Sequence, residues 1–313
     1  MRTLMTRTAL GVISVLAAST LLLAGCGGTD EAADNADSVT VDTLKGEVEV
    51  PAGAKNVVVL NSPAADAAAG MGVTPVAVAS TKDQIMPWQT GVTDDVADDS
   101  LINAEYAPNL EKIAEYEPDV IFAAPWNIAD DSTYEQLSDI APVIIPDTES
   151  ANPDWDEMTE QVGEALGKSD EAEKLIDTTK DKLEAVGADL GVDGKSYQLI
   201  SPRAEGIYFG NAAPLELFGL KPGQHQTPEE INKFTLSAEN LDELDADYLF
   251  VWAMDDDGKK QVVDNPSYDS LPSVKNGTAA FIDAEFATAV NAASPASLDW
   301  LVTDSGIEDM LKK

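Results

Sequence analysis

Past residue 25 the chain has a single arginine, Arg203, and a single histidine, His225, in a sequence that carries 57 aspartates and glutamates. A surface that draws its few positive charges from lysine has thus kept one guanidinium, whose planar fork of donors can grip two oxygens at once. Arg203 follows the apolar run 197–200, and Tyr208 comes close behind it. Three of the five tryptophans stand in similar places. Trp88 follows the run 76–79, Trp126 follows 120–124, and Trp252 follows 248–251 with Met254 two residues on. Runs of this kind read as strands of an open α/β sheet, and ligands of such sheets sit outside the C-terminal strand ends. Aromatic rings there give large apolar contact area. Tyr106, just before a short helix, is within reach of the same rim. The set suits a bulky, partly apolar ligand with an oxygen-rich, anionic face. A lone tryptophan could equally fill a core, and Arg203 could pair with Glu205 on the surface. Four placements after four separate strands favour recognition. His225, in the turn-rich stretch 222–228, reads as a solvated loop residue.

Other chemistries find little support. The sequence has no Gly-x-Ser-x-Gly elbow, no phosphate-binding P-loop and no glycine-rich dinucleotide turn. Its only cysteine is Cys26. One histidine leaves little for acid–base catalysis, so an enzyme is not expected. Direct ferric coordination wants clustered tyrosine, histidine and carboxylate ligands, and no such cluster stands out. No intrinsic cofactor and no protein-held metal are expected. The formal charge is −38, which argues against nucleic acid, whose phosphates need a basic footprint. The acidity is spread along the whole chain and reads as a solvated surface.

The elements that must position these residues alternate. β-Branched or apolar runs at 56–60, 73–79, 119–123 and 142–145 are separated by short helical stretches at 64–71, 109–116 and 134–138, with a longer helix at 154–166. Strands alternating with helices imply a mostly parallel sheet. The same grammar returns at 197–200, 208–209, 214–218, 247–251 and 279–282, and a terminal helix at 298–311 is broken near Ser305-Gly306. Residues 169–190 differ. Apolar residues at 172, 175, 179, 183, 186 and 190 recur every three or four positions, with Ser169 as the expected N-cap. A helix of that length spans roughly 33 Å and reads as a rigid connector. The segments 108–122 and 237–250 repeat one pattern: a short helix carrying a glutamate, Glu111 or Glu239, then an acidic residue, then a buried strand. Two similar α/β lobes follow from that repeat.

The N-terminus sets the address. Arg2 and Arg7 precede an apolar run that ends in Leu23-Ala-Gly-Cys26, a secretory leader whose end resembles the lipobox of bacterial lipoproteins. The resemblance implies cleavage before Cys26, lipid on its thiol, and a chain held on the extracytoplasmic face of a cell membrane. The expected organisation is a signal peptide at 1–25, a lipidated cysteine and acidic flexible tether at 26–50, an N-terminal lobe at 51–167, a connecting helix at 168–190 and a C-terminal lobe at 191–313. Within the tether, residues 40–50 alternate weakly and could form an edge strand or a hairpin arm.

The body resembles the iron-siderophore, haem and cobalamin substrate-binding proteins of bacterial ABC importers. The matching pieces are Val57-Val-Val-Leu-Asn-Ser-Pro63, Asn109-Leu-Glu-Lys-Ile113 with Pro118-Asp-Val-Ile121, residues 134–143, Ser237-Ala-Glu-Asn-Leu241 with Asp245-Ala-Asp247, and Leu271-Pro-Ser-Val-Lys-Asn-Gly277. The resemblance implies two Rossmann-like lobes joined by one long helix, a ligand cleft between them, and modest opening. It implies a monomer that captures a ferric siderophore and delivers it to a permease with a cytoplasmic ATPase, with Glu111 and Glu239 meeting the permease. Glu115, Asp242 and Glu243 are neighbours that could share that contact. On this basis Trp88, Tyr106, Trp126, Arg203, Tyr208, Trp252 and Met254 line the cleft. Haem, with a tyrosine or His225 as axial ligand, and cobalamin are the alternative cargoes. A lipid-anchored adhesin is the remaining class.

Overall fold

The computed structural model describes residues 38–81, 84–148, 150, 153–227 and 234–312. The leader, Cys26 and the acidic stretch to residue 37 lie outside them. The described chain opens with an antiparallel hairpin, β1 (Ser38–Thr43) and β2 (Gly46–Pro51). Val41 and Val50 on it are fully buried and join the core beneath the longer N-terminal helix. Residues 38–50 are therefore a structured part of the body, a correction to the tether expected over 26–50. Two inward valines are enough to seat the hairpin.

The first sheet is all parallel. It is built from β3 (Val57–Val59), β4 (Ala77–Val78), β5 (Val120–Phe122) and β6 (Val143–Ile144) in the order β4-β3-β5-β6. Both faces are covered, so the strands read as unbroken apolar runs. Val57 and Val59 meet α1 (Ser62–Gly70) and α4 (Trp155–Ala165). Val58 points the other way, into a cluster with Ile113 of α2 (Leu110–Ala114) and Leu137 of α3 (Asp131–Ser138).

Helix α5 (Ser169–Leu190) then leads to the second sheet. Its N-terminal half packs on the first lobe. A Cβ on Gly163 of α4 would come within 2.5 Å of Ala172, and one on Gly70 of α1 within 2.7 Å of Leu175. Its C-terminal half packs on the second lobe, where a Cβ on Gly187 would fall 2.0 Å from the Phe218 carbonyl oxygen. The expected cap differs: Lys168 is the N-cap, without a side-chain bond, and Ser169 is already helical. Gly167, at φ 65°, turns the chain so tightly after α4 that the Lys168 amide bonds back to the Gly163 carbonyl at 2.7 Å.

The second sheet has six strands: β7 (Ser196–Arg203), β8 (Gly206–Phe209), β9 (Lys221–Pro222), β10 (Thr235–Leu236), β11 (Tyr248–Val251) and β12 (Ala279–Phe281). The order is β10-β8-β7-β11-β12, with β9 beside the start of β7. β7, β11 and β12 run parallel, and β8 is antiparallel to β7. Helices α6 (Asp256–Val263), α7 (Pro272–Asn276) and α8 (Ala284–Asn291) follow β11, and α9 (Pro295–Thr303) and α10 (Ile307–Leu311) end the chain. Gly306, at φ 75°, makes the expected break between the last two. The helices expected near 214–218 and 240–244 are 3-10 turns, Ala213–Phe218 and Ala238–Glu243. Two aromatic residues cross between lobes: Trp155 of α4 is buried in the second lobe's core, and Trp88 packs against the same cluster.

Candidate functional site

At the first sheet's C-terminal edge, β3 ends in Asn61, whose side chain accepts the Ala64 amide at 3.0 Å and starts α1. β5 ends in Ala123-Ala124 and passes into the 3-10 turn Pro125–Asn127. Asn127 is buried. Its Oδ1 accepts the Ala124 amide at 2.9 Å and its Nδ2 donates to the Tyr106 carbonyl at 2.9 Å. One side chain thus fixes both the turn carrying Trp126 and the loop carrying Tyr106. The Asn103 side chain tightens that loop by accepting the Glu105 and Ala107 amides. Tyr106 sits at φ 62°, a left-handed conformation costing about 1–3 kcal/mol for such a residue, and is 58% exposed. Trp126 is 45% exposed. Two large aromatics are thus held outward by one buried asparagine. A small cavity beside them is lined by Asn61, Pro63, Pro146 and Met158 from the first lobe and by Ala292 and Ala293 from the second.

On the second lobe the corresponding strand end is the β7–β8 hairpin. Ser201 pairs with Tyr208 and Arg203 with Gly206, so Ser201, Arg203 and Tyr208 share one face of the sheet. The Arg203 guanidinium lies 4.8 Å from the centre of the Tyr208 ring, a stacked cation–π contact. Among the described residues no carboxylate pairs with it, so the surface pair with Glu205 does not form. Its Nε and the Ser201 Oγ are buried without a hydrogen-bond partner. A buried donor left unpaired costs about 1–3 kcal/mol. Trp252 continues β11 beside this hairpin, its amide bonded to the Ile200 carbonyl at 2.8 Å, and Met254 is 55% exposed beyond it.

The expected set is therefore brought together in two groups, Tyr106 with Trp126 on one lobe and Arg203 with Tyr208 on the other, with Trp252 and Met254 at the end of the adjacent strand. Trp88 is a correction. Its Nε1 donates to Asp66 at 3.0 Å and its ring packs 5.3 Å from that of Trp300. It lines a groove of about 490 Å³ between α1, α5 and α9, which shares no residue with the strand-end cavity. The loop after β4 is long enough to fold back onto α9, and the rim rule does not see that return.

Asp66 escaped the sequence reading altogether. It is 5% exposed and accepts from Trp88, from Gln89 Nε2 at 3.1 Å and from Ser294 Oγ at 2.8 Å. Ser294 caps α9, so this carboxylate ties the two lobes together. Burial pushes its pKa up to about 6, against the pull of its three hydrogen bonds. The available signal was one charge inside the alanine run Ala64-Ala-Asp-Ala-Ala-Ala69.

His225 is also a correction. It is no solvated loop residue: it is half-buried, stacks on Phe234 at 4.4 Å, and its Nε2 lies 2.7 Å from Glu243 Oε2. It follows β9, near the start of β7 and at the strand end remote from Arg203, and its Nε2 is already occupied. Glu111 and Glu239 are each the second residue of a short helical turn, one per lobe, and both are exposed. Among the described residues neither is in an ion pair, whereas Glu115 pairs with Lys112 at 3.0 Å and Glu243 with His225.

The architecture is two α/β lobes and one connecting helix, with exposed aromatics and a half-buried arginine at the strand ends. The chain belongs to the periplasmic binding protein family, whose model matches residues 57–286. It is 27% identical over 285 residues to the Fe(3+)-citrate-binding protein YfmC of Bacillus subtilis, covering 86% of this chain and 87% of that one. It is 25% identical over 299 residues to a second Bacillus subtilis protein, named "Probable siderophore-binding lipoprotein YfiY", covering 88% and 90%. The fold matches that of Streptococcus pneumoniae PiaA, solved in complex with ferrichrome, at a TM-score of 0.70 and 21% identity over 88% of this chain and 97% of that one.

Proposed function

We propose that this protein is a lipid-anchored, extracytoplasmic binding protein that captures a ferric siderophore between its lobes and delivers it to an ABC importer. The observation that carries the proposal is Arg203 over Tyr208 with unpartnered buried donors at the end of β7, matched on the first lobe by exposed Tyr106 and Trp126 on a buried-asparagine turn after β5. Aromatic faces suit the apolar body of a chelate, and the guanidinium suits its oxygens. Trp252 and Met254 extend the second face. Family membership and the names of the Bacillus relatives support the same cargo class. Iron arrives inside its chelator as cargo, so the protein needs no intrinsic metal site or cofactor.

The lobes occupy residues 51–167 and 191–313, with residues 168–190 as the connector and the hairpin at 38–50 belonging to the first lobe. The protein acts as a monomer. Cys26 carries the lipid; among the described residues no helix is long and apolar enough to cross a membrane. Glu111 and Glu239 meet the permease. Glu115 is held by Lys112 and Glu243 lies 2.7 Å from His225 Nε2, whereas Glu111 and Glu239, like Asp242, are exposed and in no ion pair among the described residues. Calorimetric titration of the purified chain with iron-free and iron-loaded siderophores, haem and cobalamin tests the cargo. Binding confined to iron-loaded siderophores is expected; binding of haem or cobalamin with no response to any ferric siderophore would overturn it.

A further inference from the structure

A chelate is sorted by charge before it is sorted by shape. The strand-end cavity beside Trp126 is lined by apolar residues and Asn61 alone. The cavity next to it shares Pro146, Pro153 and Met158 and is walled by Asp147, Glu157, Glu160 and Glu164. Lys180 offsets Asp156 at 2.7 Å. Burial, and then the charges of Asp154, Asp156, Glu160 and Asp147, hold the Glu157 carboxyl above its usual range, so the local field resists further negative charge. On the second lobe Arg203 ends β7, and Lys259 and Lys260 stand on α6 after β11, Lys260 paired with Asp257. Lys259 sits 5.0 Å over the Phe281 ring, and the exposed Asp255, Asp256 and Asp257 come just before it in sequence. Hydrogen-bond donors are better supplied than charge: the Arg203 fork, the partnerless Ser201 hydroxyl and the Tyr208 hydroxyl share one face.

From this balance we infer that the cleft selects near-neutral ferric complexes, the tris-hydroxamate class, and discriminates against ferric tris-catecholates. Each hydroxamate gives up one proton on binding iron, so a tris-hydroxamate complex is neutral. Each catechol gives up two, and the tris-catecholate complex is a trianion. A single guanidinium does not neutralise a trianion brought beside the acidic wall of the first lobe, but it can donate to the carbonyl and N–O oxygens of a neutral complex. The inference rests on the siderophore-binding function proposed above.

The test compares a ferric tris-hydroxamate with a ferric tris-catecholate by calorimetric titration of the purified chain at low and high salt. The neutral complex binds about tenfold tighter or more at low salt, and the gap narrows near 1 M salt, where charges are screened beyond about 3 Å. The double substitution Glu157→Gln with Glu160→Gln narrows the low-salt gap as well, by raising catecholate affinity. Equal or tighter binding of the trianion at low salt overturns the selectivity and leaves the siderophore function standing. Failure of every ferric complex to bind overturns the siderophore function and the selectivity with it.

Discussion

Replacing Asp66 with asparagine removes a charge from the junction between the lobes without changing its shape. The native carboxyl has a pKa of about 6 in the folded chain because burial disfavours its charged form, against an ordinary value of 3.8. A raised folded value means that the folded state binds more protons than the unfolded state between the two values. The stability it contributes is therefore full below about pH 4 and is lost as pH rises through about 6. Two units correspond to about 3 kcal/mol, and Asp66 is 5% exposed, so solvent screens little of it. Asparagine carries no such penalty, but it turns an amide NH2 donor toward one of the three donors and gives up about 1 kcal/mol of hydrogen bonding. The two curves should therefore cross. The variant is about 1 kcal/mol less stable near pH 4 and about 2 kcal/mol more stable near pH 7.5. Urea unfolding followed by tryptophan fluorescence across this range reads the difference, and the other carboxylates cancel because both chains carry them. A difference that stays constant with pH would refute the buried-carboxylate reasoning.

Other outcomes follow from the same geometry. Arg203→Ala should lower affinity for the ferric complex by about 1.5–3 kcal/mol, the worth of hydrogen bonds from a charged donor, and Arg203→Lys should recover part of it because a charged donor returns without the fork; unchanged calorimetric affinity with the fold intact would remove Arg203 from the site. Gly187→Ala gains about 1 kcal/mol of helix propensity but drives a methyl into the Phe218 carbonyl, a backbone atom at 2.0 Å that cannot yield cheaply. A net loss of about 2 kcal/mol or more is expected in urea unfolding, while Glu184→Ala on the exposed side of α5 stays within about 0.5 kcal/mol. The double variant Glu111→Ala, Glu239→Ala should bind ligand normally yet support little uptake into cells carrying the cognate permease, with each single variant milder. Undiminished uptake at equal expression would exclude these glutamates as the main permease contacts.

How far the sequence announces this molecule depends on how local each signal is. The Val57-Val-Val59 and Tyr248-Leu-Phe-Val251 runs are buried on both faces, and their composition says so. The spacing of Ala172, Thr179 and Leu183 states the packed face of α5 before any partner is known. Arg203 is conspicuous by scarcity, and its register beside Tyr208 follows from a two-residue hairpin. Trp88 and Asp66 mark where local reasoning stops. Both are positioned by a contact with the α9 region, and Asp66 and Ser294 stand 228 residues apart. Periodicity carries no trace of such a pairing. The Ser169 cap failed for a similar reason, since a tight corner after α4 outranked the preference of one side chain. Asn127 holds the first aromatic pair outward, yet in sequence it is only the residue after Trp126.

The central claim is that a ferric chelate sits between Tyr106 and Trp126 on one lobe and Arg203 and Tyr208 on the other. The most direct measurement is a crystal structure of the protein with a ferric siderophore, with the iron located by its anomalous scattering. The account predicts a single strong iron peak between these two groups, at the strand ends, with the Arg203 guanidinium against the chelate oxygens. Iron found instead in the groove lined by Trp88 and Trp300, or against the acidic wall of Glu157 and Glu160, would contradict it.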